Sequence, residues 1–201
     1  MLNPKTIKIF LIDGEPTGSK FVELSNWTGK AYIIPRNRIK VILLDKESKQ
    51  DLESQSIYFL IGTTDSNEEI IYVGEAENFL KRLLQHNQNK EFWNLAISFF
   101  AKDKNLTKSH IKYLETRITQ NIKEADRVLL ENATYPAITH LPRADKAEME
   151  EYLQNIEIIL ASLGYTFSQK AEKTSTEGVF ICKSMKSYAQ GVLTDEGFVV
   201  L

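Results

Sequence analysis

The chain has 201 residues, 42% of them hydrophobic and 26% charged, a balance that supports a buried core and excludes dominant disorder. Its formal net charge is −2, from 25 Lys and Arg against 27 Asp and Glu, which excludes a uniformly basic nucleic-acid binder; any contact with phosphates must come from a local cluster. The one cysteine, Cys182, excludes an internal disulfide and a multi-thiolate metal site, and no apolar run reaches the ~18 residues that would span a bilayer.

Thr6–Ile12 has strand chemistry, and Asp13–Gly18 follows as a turn. Phe21–Leu24 and Lys30–Ile34 predict two more short strands, Pro35 closes that region, and Arg38–Leu44 predicts a short helix. Residues 1–50 are therefore expected to form a small β-rich module. Ser56–Gly62 is an almost continuous apolar run, as expected of a buried strand. Thr63–Glu68 is polar loop and Glu69–Gly74 a second strand, so the two predict an antiparallel hairpin. The spacing of Leu80, Leu83 and Leu84 predicts a helix from about Asn78 to His86. Leu95–Phe100 is another strand. The longest helical period starts after Thr107, a suitable N-cap, and runs to Leu130. A last helix is expected over Lys146–Leu163, ended by Gly164, with Met149, Leu153, Ile156, Ile159 and Leu160 on its packing face. Val179–Cys182 and Gly197–Leu201 return to strand chemistry. The fold class is α+β: a small mixed or antiparallel sheet with flanking helices over 51–135, between the N-terminal module and a C-terminal module of one helix and a small β-sheet over 145–201.

Glu115 breaks the helical pattern. Ile111, Leu114, Ile118, Ile122 and Ala125 define one apolar stripe, and Glu115 falls on the same face. A carboxylate there is paired, protonated or bound to a metal, because an unpaired buried charge is very costly; the other reading puts it at the stripe's edge, reaching solvent or an arginine. Asn78, Arg82 and His86, at i, i+4 and i+8, share the face opposite the leucines. Such a face displays a guanidinium to a phosphate, or is simply the solvated side of an amphipathic helix. Tyr58 and Tyr72 can project from one side of the hairpin, where phenols position a water or relay its proton, or form an ordinary cross-strand pair. His110, near a helix start that disfavours positive charge, is either a neutral proton acceptor or a bystander.

As a spaced set these residues resemble the GIY-YIG nuclease family. The resemblance rests on Ile57-Tyr58 in one strand, Tyr72-Val73-Gly74 in the next, Asn78, Arg82 and His86 in the following helix, and the inward Glu115. It covers roughly residues 54–135. The first motif glycine is replaced by Ser56 and the second motif isoleucine by Val73. The resemblance implies that Tyr58 positions or deprotonates the attacking water, that Tyr72 supports it, and that Arg82 engages the scissile phosphate. It further implies that Glu115 is the single metal-binding carboxylate, for Mg2+ or Mn2+, and that His86 and Asn132 belong to the site. The segment 54–135 holds ten Lys and Arg against eleven Asp and Glu, so the core is not basic.

The tail, through Ser187–Gly191 and Thr194–Leu201, resembles an uncharacterised C-terminal module often fused to these nucleases. Lys170, Lys173, Lys183 and Lys186, with Phe180 and Tyr188, form either the solvated face of a small β-module, the reading that pattern favours, or a second place where nucleic acid could be touched. The expected function is a metal-dependent endonuclease acting on DNA. The alternatives are a weak or inactive nuclease-fold module serving nucleic-acid binding or protein interaction through either terminal module, and a small-molecule-binding α/β domain. Met1–Lys5 lacks a signal-peptide apolar stretch, so a reducing cytoplasm is the expected compartment, with no membrane partner.

Overall fold

The computed structural model describes residues 4–132, 139–169, 179–183, 188–194 and 197–200. In chain order its elements are β1 (Ile7–Leu11), β2 (Lys20–Leu24), β3 (Gly29–Pro35), a 3-10 turn (Arg36–Arg38), α1 (Ile39–Ile42), α2 (Lys46–Leu52), β4 (Ser56–Thr63) and β5 (Glu69–Ala76). They continue with α3 (Phe79–Asn89), β6 (Trp93–Ala101), α4 (Lys108–Ala125), β7 (Leu129–Leu130), α5 (Arg143–Ser162), β8 (Val179–Lys183), β9 (Tyr188–Thr194) and β10 (Gly197–Val200). The α+β expectation holds.

β4 is buried at every position from Ser56 to Gly62, because it has neighbours on both sides and helices on both faces. The sheet order is β1-β2-β3-β6-β4-β5-β7. All pairs are antiparallel except β5 with β7. The expected hairpin is β4–β5, with Tyr58 opposite Gly74 and Leu60 opposite Tyr72. Strand alternation then sorts the side chains into two cores. Ile57, Phe59, Ile61, Ile71 and Val73 pack with Ile111, Leu114 and Ile118 of α4 and Leu153 and Ile156 of α5. On the other face Tyr58, Leu60 and Ala96 pack with Ile39 and Ile42 of α1, Leu52 of α2, and Phe79, Leu80 and Leu83 of α3.

The chain divides into two compact units, 1–169 and 170–201. β1–β3, expected in a module of their own, extend the same sheet that holds the core hairpin. α5, expected with the C-terminal strands, packs its Met149, Leu153 and Ile156 into the first unit's core. The second unit contains a three-stranded antiparallel sheet in the order β10-β9-β8. Lys170, Lys173, Lys186, Ser187 and Leu201, part of the tail reading, lie outside the described residues.

Local chemistry explains the shifted boundaries. α2 is polar and was not expected; Asp45 starts it by accepting from the Ser48 backbone N–H at 2.9 Å. α4 stops at Ala125 rather than Leu130, because Asp126 adopts a left-handed φ of 49° and Leu129–Leu130 then pairs with Ile70–Ile71. Thr107 is the N-cap of α4 as expected, and His110 is its partner in a capping box: its Nδ1 accepts from the Thr107 backbone N–H at 3.3 Å.

Ser56 is fully buried with a hydroxyl that has no hydrogen-bond partner. Removing an orphaned buried hydroxyl removes its desolvation cost. Ser56→Ala should therefore leave stability unchanged or raise it by up to ~1 kcal/mol in urea unfolding. A clear loss of stability would show that the hydroxyl is satisfied.

Candidate active site

β5 has β4 along one edge for its whole length, but on its outer edge β7 pairs only Ile70 and Ile71. Asn132 continues that edge with a side chain. Its Oδ1 accepts from Val73 N–H at 3.0 Å and its Nδ2 donates to Val73 C=O at 2.7 Å. Asn132, expected among the catalytic residues, thus spends both ends of its carboxamide on holding β5. Beyond Val73 the outer edge of β5 has no strand partner among the described residues, and the candidate residues gather round that open end.

α3 supplies the cationic side. Asn78, expected on the functional face, is the helix's N-cap and accepts from the Lys81 backbone N–H at 2.9 Å. That cap fixes where the helix starts, and so places Arg82 and His86 one and two turns on, over the Tyr58 ring. Arg82 Nε donates to Tyr58 Oη at 3.3 Å, and Tyr58 Oη lies 2.7 Å from His86 Nε2. Arg82 can only donate to the phenol oxygen, and the phenolic proton goes to His86 in the tautomer that leaves Nε2 unprotonated. The His86 imidazole is held neutral: burial, then the charges of Arg82 and Lys90, push its pKa down to about 4. Burial likewise holds the Tyr58 phenol above its ordinary value, with Tyr72 adding to the rise and Arg82 opposing it.

Tyr58 is completely buried, Tyr72 is half-buried beside it at 6.1 Å between ring centroids, and Arg82 is exposed. The expectation that Tyr58 itself meets the attacking water therefore meets a layered arrangement, with Tyr58 behind Arg82 and Tyr72. Gly74 makes this packing possible. A Cβ there would lie 2.4 Å from Tyr58 Oη, 2.5 Å from its Cζ and 2.8 Å from the Tyr72 ring. The motif glycine is needed for close approach, since the Tyr58 ring lies across the backbone of the neighbouring strand.

α4 supplies the anionic side. Glu115 is half-buried, not sealed in the core, and its carboxyl is pushed up to about 7. Burial is the largest cause and the charge of Glu75 adds to it, while Lys112, the Glu75 backbone N–H and Arg82 oppose the rise. Strand alternation puts Glu75 on the α4 face of β5, with Val73, whereas Tyr72 and Gly74 lie on the α3 face. The set expected from sequence is thus brought together: Tyr58, Tyr72, Arg82 and His86 by direct ring contacts or hydrogen bonds, Glu115 through Glu75 and Arg82, and Asn132 as a backbone clamp. Two neighbours were not singled out. Glu75 follows Gly74 directly and could have been found from its strand parity. Lys90, whose Nζ sits 4.7 Å from the Tyr72 ring centroid and 3.4 Å from Glu131, follows the last turn of α3 and carried no pattern signal.

The oxygen donors suit a hard divalent cation. Among the described residues no three His, Cys, Asp or Glu side chains converge, so the site is not a closed protein cage. One or two carboxylates with water and phosphate completing the shell is the arrangement Mg2+ favours, and such a cation would relieve the burial and the neighbouring charge that raise the Glu115 carboxyl.

Two tests follow from this geometry. Gly74→Ala must displace the Tyr58 phenol or the strand, so it should cost about 1–3 kcal/mol in denaturant unfolding and disturb the Tyr58–His86 pair. His86 titrates near 6.5 unfolded but about 4 folded, so between those values the unfolded chain holds the extra proton and stability rises with pH. The wild type should lose on the order of 2 kcal/mol between pH 7 and 4 relative to His86→Gln; the comparison is needed because Glu115, with its raised value, acts in the opposite direction. Parallel pH profiles for the two proteins would mean that His86 accepts its proton freely.

Residues 55–136 match the family model of the GIY-YIG catalytic domain. No curated protein and no solved structure matches the chain. The hairpin with its two tyrosines, the capped helix with Arg82 and His86, the half-buried Glu115 and this match together identify residues 55–136 as a GIY-YIG catalytic domain.

Proposed function

We propose that the chain is a metal-dependent endonuclease that hydrolyses phosphodiester bonds in DNA. The observation that carries this reading is the anchoring of Arg82: its Nε is taken by a buried phenol, so its terminal N–H groups are held at the surface, where they can fork onto a phosphate. Arg82 stabilises the negative charge that develops as water adds to phosphorus. Tyr72, half-buried at the rim, orients that water. Tyr58 fixes Arg82 by accepting from its Nε, and is itself held by the neutral His86 imidazole. As the water oxygen bonds to phosphorus it releases a proton to solvent at the rim, the bond to the leaving deoxyribose oxygen breaks, and that oxygen takes up a proton from solvent. Glu115, with Glu75 beside it, would hold Mg2+ or Mn2+ at the other side of the phosphate. When bound, the ion supplies Lewis-acid stabilisation of the phosphoryl oxygens and a more acidic water.

Lys90, with its Nζ 4.7 Å from the Tyr72 ring centroid, and Lys112, whose charge acts on Glu115, supply local positive charge that the net charge of −2 conceals. A second reading, a catalytically weak module that binds nucleic acid, draws support from the complete burial of Tyr58. We place the activity in a reducing cytoplasm, in keeping with the single cysteine; among the described residues no helix is long and apolar enough to cross a membrane.

Plasmid cleavage with Mg2+ or Mn2+ separates the readings. Wild type should nick or linearise DNA and stop when EDTA is added. Arg82→Ala and Glu115→Gln should each cut the rate by about 10²-fold or more while remaining folded. Arg82→Lys should recover little, since an ammonium cannot bond Tyr58 and a phosphate in one fixed fork. Folded variants that cleave as fast as wild type would sink the catalytic assignment; a wild type that binds DNA without cutting it would favour the weak module.

A further inference from the structure

The sheet ends at β1, and among the described residues no strand covers its outer edge. Two bonds fix which way its backbone points: the Ser25 N–H donates to Thr6 C=O at 2.9 Å, and the Ile12 N–H donates to Ser19 C=O at 2.9 Å. Bonded positions in an antiparallel ladder alternate along the strand. Thr6, Lys8, Phe10 and Ile12 therefore face β2, while Ile7, Ile9 and Leu11 turn their N–H and C=O groups outward. Such a row is a template for another extended backbone. The usual protections of an edge are sparse: β1 pairs with β2 over five consecutive residues without a bulge, holds no proline, and carries one charge, Lys8. Its apolar side chains are open to solvent, with Ile9 50%, Phe10 56% and Leu11 36% exposed.

The order of residues in the strand selects the partner. Ile7 and Ile9 lie opposite Leu24 and Val22 on one face, and Lys8 and Phe10 opposite Glu23 and Phe21 on the other, where Phe10 stacks on Phe21 at 4.9 Å. Lys8 forms no ion pair among the described residues. The two-fold registers of β1 with itself that align most of the outward groups are centred on Lys8, Ile9 or Phe10. Centred on Lys8, two ammonium groups meet, which is unfavourable. Centred on Phe10, Ile7 has no partner within the strand. Centred on Ile9, Ile9 meets Ile9 of the second copy and Ile7 meets Leu11, so every outward N–H and C=O of β1 is bonded. Lys8 then falls opposite Phe10 of the second copy, an ammonium beside an aromatic ring, and no like charges face each other.

We propose that β1 pairs with β1 of a second copy of this chain, antiparallel and centred on Ile9, to form a two-fold dimer. The contact is one strand wide and falls short of the ~1,200 Å² at which standard interfaces begin, so the dimer is weak. An isologous contact closes on itself, so pairing stops at two copies. β1 lies outside residues 55–136, and failure of the dimer would leave the phosphodiester chemistry proposed above untouched.

Sedimentation velocity of the full chain between about 10 and 500 µM should show monomer giving way to dimer, with a Kd on the order of 100 µM. Ile9→Arg puts like charges on the two-fold axis and should weaken the dimer about fivefold or more. Ile9→Pro removes the central outward N–H but none of the bonds to β2, and should do the same. Ile9 belongs to neither core, so both variants should fold. Cross-linking then reads the register in a Cys182→Ser background, which removes the exposed native thiol. Lys8→Cys mixed with Phe10→Cys should oxidise to a mixed dimer, because directly opposite positions of this kind lie about 4.5 Å apart. Either variant alone should cross-link poorly, since its own copies sit diagonally at about 7–8 Å. The proposal is overturned if the chain stays monomeric up to about 500 µM, which would leave the edge to a strand of another protein or of the second unit. It is equally overturned by growth beyond the dimer, by wild-type dimerisation of both Ile9 variants, or by Lys8→Cys cross-linking to itself as readily as to Phe10→Cys.

Discussion

The burial of β4 on both faces constrains everything around it. A strand with helices on each side has no solvated face, so a polar side chain in it either finds a partner in the core or, as at Ser56, bears the cost of an unmet hydroxyl. Tyr58 is the large exception in this strand, and its hydroxyl is met by one cation and one neutral imidazole. Arg82 is thereby fastened to the buried centre of the sheet, and its position at the surface is inherited from the core. The neighbouring strand accommodates the arrangement with a residue that has no side chain, Gly74, where Tyr58 crosses it.

The two sides of the site differ in charge as well as in origin. α3 brings a guanidinium and lysines over one face of β5; α4 brings a carboxylate against the other, where Glu75 already stands. Neither side is remarkable in the sum of charges, because each cancels the other along the sequence. What the fold does is separate them across the end of one strand. A group with oxygens on one side and a divalent cation on the other would satisfy both, and this is the physical content of the proposed phosphodiester chemistry.

The paired strands, α3 and α4 were legible in the sequence because each carries several turns or alternations of a strong period. Their limits were legible where a cap marks them, as at Asn78 and Thr107, and not where a single backbone conformation decides, as at Asp126. α2 escaped because its seven residues are mostly polar and bury only Ser48 and Leu52. β7 is two residues long, too short for any period to show. In the site, the spaced set of Tyr58, Tyr72, Arg82 and Glu115 could be read, but the depth of Tyr58 could not. That depth depends on β6 lying against β4 and on α3 folding across it, contacts between segments with no fixed spacing. The role of Asn132 was hidden for the same reason: its partner, Val73, is 59 residues away.

That carboxamide has a consequence for how the molecule behaves among others. The outer edge of a sheet is a template on which a foreign strand can be added, and proteins that leave one long and open risk assembly into filaments. Here the short β7 ends after two pairs, and Asn132 then occupies the next donor and acceptor of Val73 as a strand would, without offering a further strand to copy. Among the described residues, the edge is closed to self-recruitment just short of Gly74, and from Gly74 onward no strand covers it. One side chain thus draws the line between a surface guarded against aggregation and a surface left available for work.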